Sequence, residues 1–106
     1  IEEIAEEPYA AERLVFQLHH AGILARQRAL LFADFHDCTP KNPLRYPYAM
    51  AEAIESIRAL VPIPVLSGMA LGHVARKITV PIGAPAKLTI TEATWSLGFS
   101  GFSQER

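Results

Sequence analysis

The sequence predicts an α+β fold, α/β-like in its first half, with one mixed sheet and two helices. Three observations predict it. Two stretches carry apolar residues at helical spacing: Ala11, Leu14, Val15, Leu18 and Ala21, then Met50, Ile54, Ile57 and Val61. Short apolar runs, Leu30 to Ala33 and Pro64 to Leu66, alternate with them and are too short to be helices. From residue 78 onward the pattern turns to β-prone runs broken by glycine and proline, the signature of antiparallel hairpins.

Taken in order, Ile1 to Ile4 reads as an opening strand, in which Glu2 and Glu3 face opposite sides. Glu6-Glu7-Pro8 starts the first helix, because acids favour the positive end of the helix dipole and proline is tolerated at the first helical position. Gly22 stops it. Leu30 to Ala33 is a buried strand. Asp37 to Pro47, with Pro40, Pro43 and Pro47, is a loop whose last proline opens the second helix, and Pro62 closes that helix. Pro64-Val65-Leu66 is a brief strand leading to Ser67-Gly68 and then Gly72-His73. Ile78 to Ile82, Ala86 to Thr91 and Thr94 to Phe99 are the hairpin runs. In the second of them Leu88 and Ile90 alternate with Lys87, Thr89 and Thr91, as in a strand with one wet face. The tail from Ser100 to Arg106 is polar and is expected to fray.

At 106 residues, half of them apolar and a fifth charged, the chain is one globular domain, far from a disordered composition. Ten basic side chains against eleven acidic ones, with no basic stripe, leave nothing to neutralise a phosphate backbone, so no nucleic-acid partner is expected. No apolar run reaches the roughly 18–20 residues that span a bilayer, so no membrane partner is expected either. The single cysteine, Cys38, forbids an internal disulfide and leans toward the cytosol. Ile1 has no preceding Met and opens on half a strand, which reads as a piece excised from a longer protein.

Few residues are suited to chemistry. His19 and His20 lie side by side in the first helix, diverge by about 100°, and cannot easily share a metal. Asp34, His36, Asp37 and Cys38 are zinc-type ligands, but their spacing matches no closed zinc set. His73 follows Gly72 in a loop between apolar strands, where the backbone bends freely and a side chain can be presented to a cleft. An inward carboxylate of the opening strand needs a donor, and a histidine ring N–H is a suitable one. Taken alone, Glu2 and Glu3 read rather as two solvated acids beside a helix start.

Ile1-Glu2-Glu3-Ile4-Ala5-Glu6-Glu7-Pro8-Tyr9, with Glu12-Arg13-Leu14 and Gln17-Leu18 after it, resembles a segment of the LD-carboxypeptidase family. That segment runs Leu-Glu-Asp-Ile-Gly-Glu-x-Pro-Tyr, then Asp-Arg-Met/Leu, then Gln-Leu. Ala21-Gly22-Ile23-Leu24, Phe32-Ala33-Asp34-Phe35, Pro64-Val65-Leu66-Ser67-Gly68, Leu71-Gly72-His73-Val74 and Thr79-Val80-Pro81-Ile82-Gly83-Ala84 are similar to further segments of the family, in order and at matching spacings. The family comprises murein tetrapeptide carboxypeptidases and relatives that give self-immunity to peptidyl-nucleotide antibiotics. The resemblance implies that residues 1–106 form a swivelling β/β/α-type C-terminal domain with a partly barrel-like sheet. It implies a Ser-Glu-His triad split between two domains, with Glu2 and His73 supplied here and the serine by an N-terminal domain absent from this chain. It also implies a peptide substrate, murein tetrapeptide or a peptidyl-nucleotide, a cytoplasmic setting in peptidoglycan recycling, and no metal or organic cofactor. Glu3 stands where the family usually has Asp, and Ala5 and Ala33 replace common glycines.

Two other functions compete. One is a non-catalytic module whose cleft binds a peptide or cell-wall fragment, with no need for Glu2 or His73. The other is an assembly element that forms a homodimer through the proline-rich loop or an exposed strand.

Overall fold

The computed structural model describes residues 1–101, and the tail expected to fray lies, from Phe102 onward, outside the described residues. The elements are β1 (Glu3–Ile4), α1 (Pro8–His20), a 3-10 turn (Leu24–Arg26), β2 (Leu30–Phe32), β3 (Phe35–His36), α2 (Met50–Leu60), β4 (Val65–Ser67), β5 (Ala86–Ile90) and β6 (Trp95–Phe99). The strand–helix–strand–helix–strand order of the first half is as expected. The 3-10 turn and β3 carry too few residues for any periodicity to reveal them.

Pro8 sits in the first turn of α1, where its missing N–H is no loss and its φ suits the helix. The helix ends as glycine dictates: Gly22 takes φ +72°, its N–H bonds to the His19 carbonyl, and the Ile23 N–H reaches back to Leu18. The second helix begins at Met50, three residues after Pro47. Ala49 has no side-chain acceptor for the first turn, but the Glu52 carboxylate accepts the Ala49 N–H at 2.8 Å. Tyr48, just before it, donates its hydroxyl to Glu12 Oε1 at 2.8 Å and ties α2 to α1. Burial and this carboxylate push the Tyr48 phenol above its ordinary pKa.

The core is one cluster of Val15, Leu24, Leu30, Phe32, Ile57, Val61 and Val65, contributed by both helices and by the parallel pair β2–β4. Its centre is Phe32, 1% exposed, with the Phe35 ring tilted against it.

The sheet departs from expectation. In place of one mixed, partly barrel-like sheet there are three two-stranded pairs: β1–β3 parallel, β2–β4 parallel and β5–β6 antiparallel. Among the described residues no set of strands closes a barrel. Ile78 to Ile82 forms no strand: Pro81 has no N–H to offer a ladder, and Ile82 is 96% exposed. The two remaining β-prone runs do pair, placing Ala86, Leu88 and Ile90 opposite Phe99, Leu97 and Trp95. The Trp95 indole N–H bonds to the Ser67 carbonyl at 3.0 Å and tethers this hairpin to the end of β4. No described helix is long and apolar enough to cross a membrane.

Ala5 links β1 to α1 with φ +58°, a left-handed conformation that an L-residue with a Cβ resists, while its N–H bonds to the His36 carbonyl at 2.8 Å. Ala5→Gly should therefore stabilise the domain by roughly 1 kcal/mol, the relief of strain exceeding the entropy glycine adds to the unfolded chain. Thermal unfolding would read this as a melting temperature several degrees higher.

Candidate active site

The site is assembled where the opening strand, the β2–β3 junction and the loop after β4 meet. Ile1 donates an N–H to the Leu31 carbonyl at 2.8 Å, and its own carbonyl accepts the Ala33 N–H at 2.8 Å, which pairs it with Phe32. Two residues later Glu3 pairs with Phe35, three residues beyond Phe32. One strand thus takes an extra step opposite Glu2, at Ala33–Asp34. This is a bulge, a feature common beside active sites because it turns backbone groups out of the ladder.

The Asp34 N–H leaves the ladder and bonds to the Leu71 carbonyl at 2.8 Å, while the Asp34 carbonyl accepts the Glu3 N–H at 3.3 Å. One residue therefore holds both the glutamate strand and the loop that carries His73. In that loop Gly72 has φ +126°, and a Cβ placed on it would meet Asp34 Cβ and Glu2 Oε2, each at 3.2 Å. Any other residue would be strained at that φ, and its Cβ would push Asp34 or Glu2 back by a few tenths of an ångström.

The outcome is a contact between groups 71 residues apart: His73 Nδ1 lies 3.3 Å from Glu2 Oε2. The Glu2 side chain is 35% exposed and that of His73 55%. At this exposure the pair adds little to stability. Its consequence is orientation: a carboxylate on Nδ1 holds the proton there and leaves Nε2 free as an acceptor. Glu3 is turned away, its Oε1 accepting the N–H of Ile4 at 2.9 Å. The glutamate of the opening strand that meets His73 is Glu2.

The other residues with chemical potential are dispersed. His19 is half-buried and His20 exposed, their rings edge to face rather than converging. Asp34 and His36 approach to 3.7 Å, but Asp37 pairs with Lys41, and the Cys38 sulfur turns to the His36 carbonyl at 3.6 Å. Among the described residues no three His, Cys, Asp or Glu side chains are grouped to hold a metal ion. Burial pushes the Cys38 thiol up from its ordinary pKa, which disfavours the reactive thiolate. An apolar groove of about 260 Å³, walled by Ile1, Leu14, Leu18 and Phe35 among others, opens between β1 and α1.

Sequence reasoning set Asp34 among candidate metal ligands and missed its part in joining strand to loop. The signal lies in hydrogen bonds of the bulge, and no residue type announces it.

Gly72→Ala should separate the pair. The added methyl meets Glu2 and Asp34, and the φ is strained for any L-residue, a combined cost of about 1–3 kcal/mol. The expected result is a domain that still folds, with a lower urea midpoint, and loss of the nuclear Overhauser contact between the Glu2 and His73 side chains.

A strand carboxylate held on a loop imidazole is an arrangement of the kind that acid–base chemistry uses. The sequence places it: residues 1–88 match the family described as LD-carboxypeptidase C-terminal domain, and the chain belongs to that family. It is 35% identical over 94 residues to the Bacillus subtilis protein named "Probable murein peptide carboxypeptidase", a match covering 89% of this chain and 29% of that protein. Its fold superposes with a TM-score of 0.87 and 30% identity on the crystal structure of muramoyltetrapeptide carboxypeptidase from Oxalobacter formigenes, covering 96% of this chain and 35% of that one. The chain thus spans about three tenths of the length of the curated relative.

Proposed function

We propose that this chain is the C-terminal domain of a serine-type LD-carboxypeptidase and supplies the glutamate and histidine of a split Ser-Glu-His triad. The observation that carries the reading is the 3.3 Å contact between Glu2 Oε2 and His73 Nδ1. In this reading residues 1–106 form a single domain. An N-terminal domain of the same enzyme brings the serine and the oxyanion donors. His73 Nε2 takes the serine proton as the hydroxyl attacks the L–D amide of a murein tetrapeptide, then returns it to the departing D-amino acid. Water, activated by the same imidazole, releases the acyl group. Glu2 holds the ring in the Nδ1–H tautomer and stabilises the imidazolium that forms. The chemistry calls for no metal or organic cofactor. The setting is cytoplasmic recycling of peptidoglycan fragments.

A contact of 3.3 Å between half-exposed groups is what a resting triad shows before substrate closes the site, when such bonds are long. Fusing this chain behind the upstream region of the Bacillus subtilis relative should give an enzyme that releases D-alanine from murein tetrapeptide, while this chain alone should release none. Turnover by this chain alone at an enzymatic rate would overturn the split triad.

The apolar groove supports a second reading, a module that binds a peptide or cell-wall fragment without catalysis. It predicts saturable binding of tetrapeptide to this chain by calorimetry, unchanged in His73→Ala, which lies outside the groove.

A further inference from the structure

We propose that Asp34 is a positioning residue for the Glu2–His73 pair, acting through the Gly72–His73 loop. The inference rests on the functional reading above and deepens it. It stands on three independent contacts. The bulge at Ala33–Asp34 frees the Asp34 N–H from the ladder, and that N–H takes the Leu71 carbonyl at 2.8 Å, the residue before Gly72. The Asp34 carbonyl accepts the Glu3 N–H at 3.3 Å, the residue after Glu2. The Asp34 Cβ and carbonyl oxygen form the floor under Gly72, 3.2 and 3.4 Å from where a Cβ there would stand, with Glu2 Oε2 at the same 3.2 Å from that point. Asp34 thus touches the neighbour of each member of the pair and fixes how closely the loop descends on the strand.

The side chain bears the mark of a residue kept for geometry at some expense to stability. Its Oδ2 is buried with no hydrogen-bond partner among the described residues, and the nearest imidazole, His36 Nδ1, stands 3.7 Å away. A buried carboxylate oxygen without a donor is costly, and residues serving packing alone seldom retain one. Beneath the loop it is the Asp34 Cβ that fills the space, where glycine would leave a hole and a bulkier residue would lift Gly72. Asparagine, of the same shape, should serve in its place.

Long-range proton–nitrogen NMR of the imidazole reads the arrangement in this chain directly, because it reports which nitrogen of neutral His73 carries the proton. Wild type is expected to hold it on Nδ1, and Glu2→Ala to shift it toward Nε2. Asp34→Gly, which removes the Cβ part of the floor and loosens the backbone at the bulge, and Asp34→Leu, which puts a bulkier side chain there, should each shift His73 as far as Glu2→Ala does, with no further change when combined with Glu2→Ala. Asp34→Asn should keep the wild-type tautomer. If the folded Gly and Leu variants keep the proton on Nδ1 while Glu2→Ala moves it, Asp34 does not position the pair and the triad reading survives. If Glu2→Ala itself moves nothing, the triad reading fails first. Should neither Asp34 variant fold, amide exchange in wild type decides: Asp34 N–H should exchange as slowly as the ladder amides of β2, and exchange at the rate of a free loop amide would overturn the proposal.

Discussion

Replacing His73 with alanine in a chimera of this chain and a nucleophile-bearing domain is expected to lower turnover by about 10⁴–10⁶-fold, with KM nearly unchanged. In the proposed mechanism the imidazole accepts a proton in the transition state and returns it to the leaving amine, so its loss would strike the chemical step rather than substrate binding. The remaining activity would come from the oxyanion donors and from binding on the other domain. Two features of the structure make the expectation specific to His73. It is the histidine whose ring nitrogen meets Glu2, and its loop is bent into place by Gly72 at φ +126°. His19, His20 and His36 make no such contact with Glu2, and their alanine variants should retain turnover within a few-fold of wild type. Release of D-alanine from tetrapeptide, followed by chromatography, checks all four.

Phe32→Ala is expected to destabilise the domain by about 3–5 kcal/mol. Phe32 is 1% exposed at the centre of the core, between the two helices and the β2–β4 pair, and its ring also supports Phe35. Against a total of about 5–15 kcal/mol for a domain of ordinary stability, that loss leaves a substantial unfolded fraction. The same residue is the last regular partner of the opening strand before the bulge, so the site should loosen with the core. Urea unfolding followed by circular dichroism should show a much lower midpoint at unchanged slope.

The parts of the fold that arise from repeated patterns were legible from residues alone. Val15 and Ile57 lie on the apolar stripes of their helices and are buried where the stripes place them. Leu14 belongs to the same stripe yet is 45% exposed, because it faces the groove beside β1 and not the core. Pro62 and Gly22 end their helices for reasons visible in any sequence. Ile78 to Ile82 misled because β-propensity describes side chains, whereas Pro81 removes the backbone donor that a ladder requires. The expected barrel came from family resemblance, and strands of two or three residues pair only locally.

The site divides in the same way. Glu2 and His73 were identified by the motifs around them, and the structure brings them together across 71 residues. Alternation along the opening strand said that Glu2 and Glu3 part company, but which of them turns to the histidine depends on the bulge opposite. That bulge arises from hydrogen-bond register, which no local pattern encodes. Asp34 was therefore visible as an acid and invisible as a strut.

That Glu2 acts on the reaction through His73 is tested most directly by a double-mutant cycle in the chimera. Glu2→Ala alone should reduce turnover by about 10³–10⁴-fold, and His73→Ala by more. Combined, the two should cost no more than His73→Ala alone, since a carboxylate that only orients an imidazole has nothing to orient once the ring is gone. If the two losses instead multiply, Glu2 and His73 work independently and the split triad is wrong.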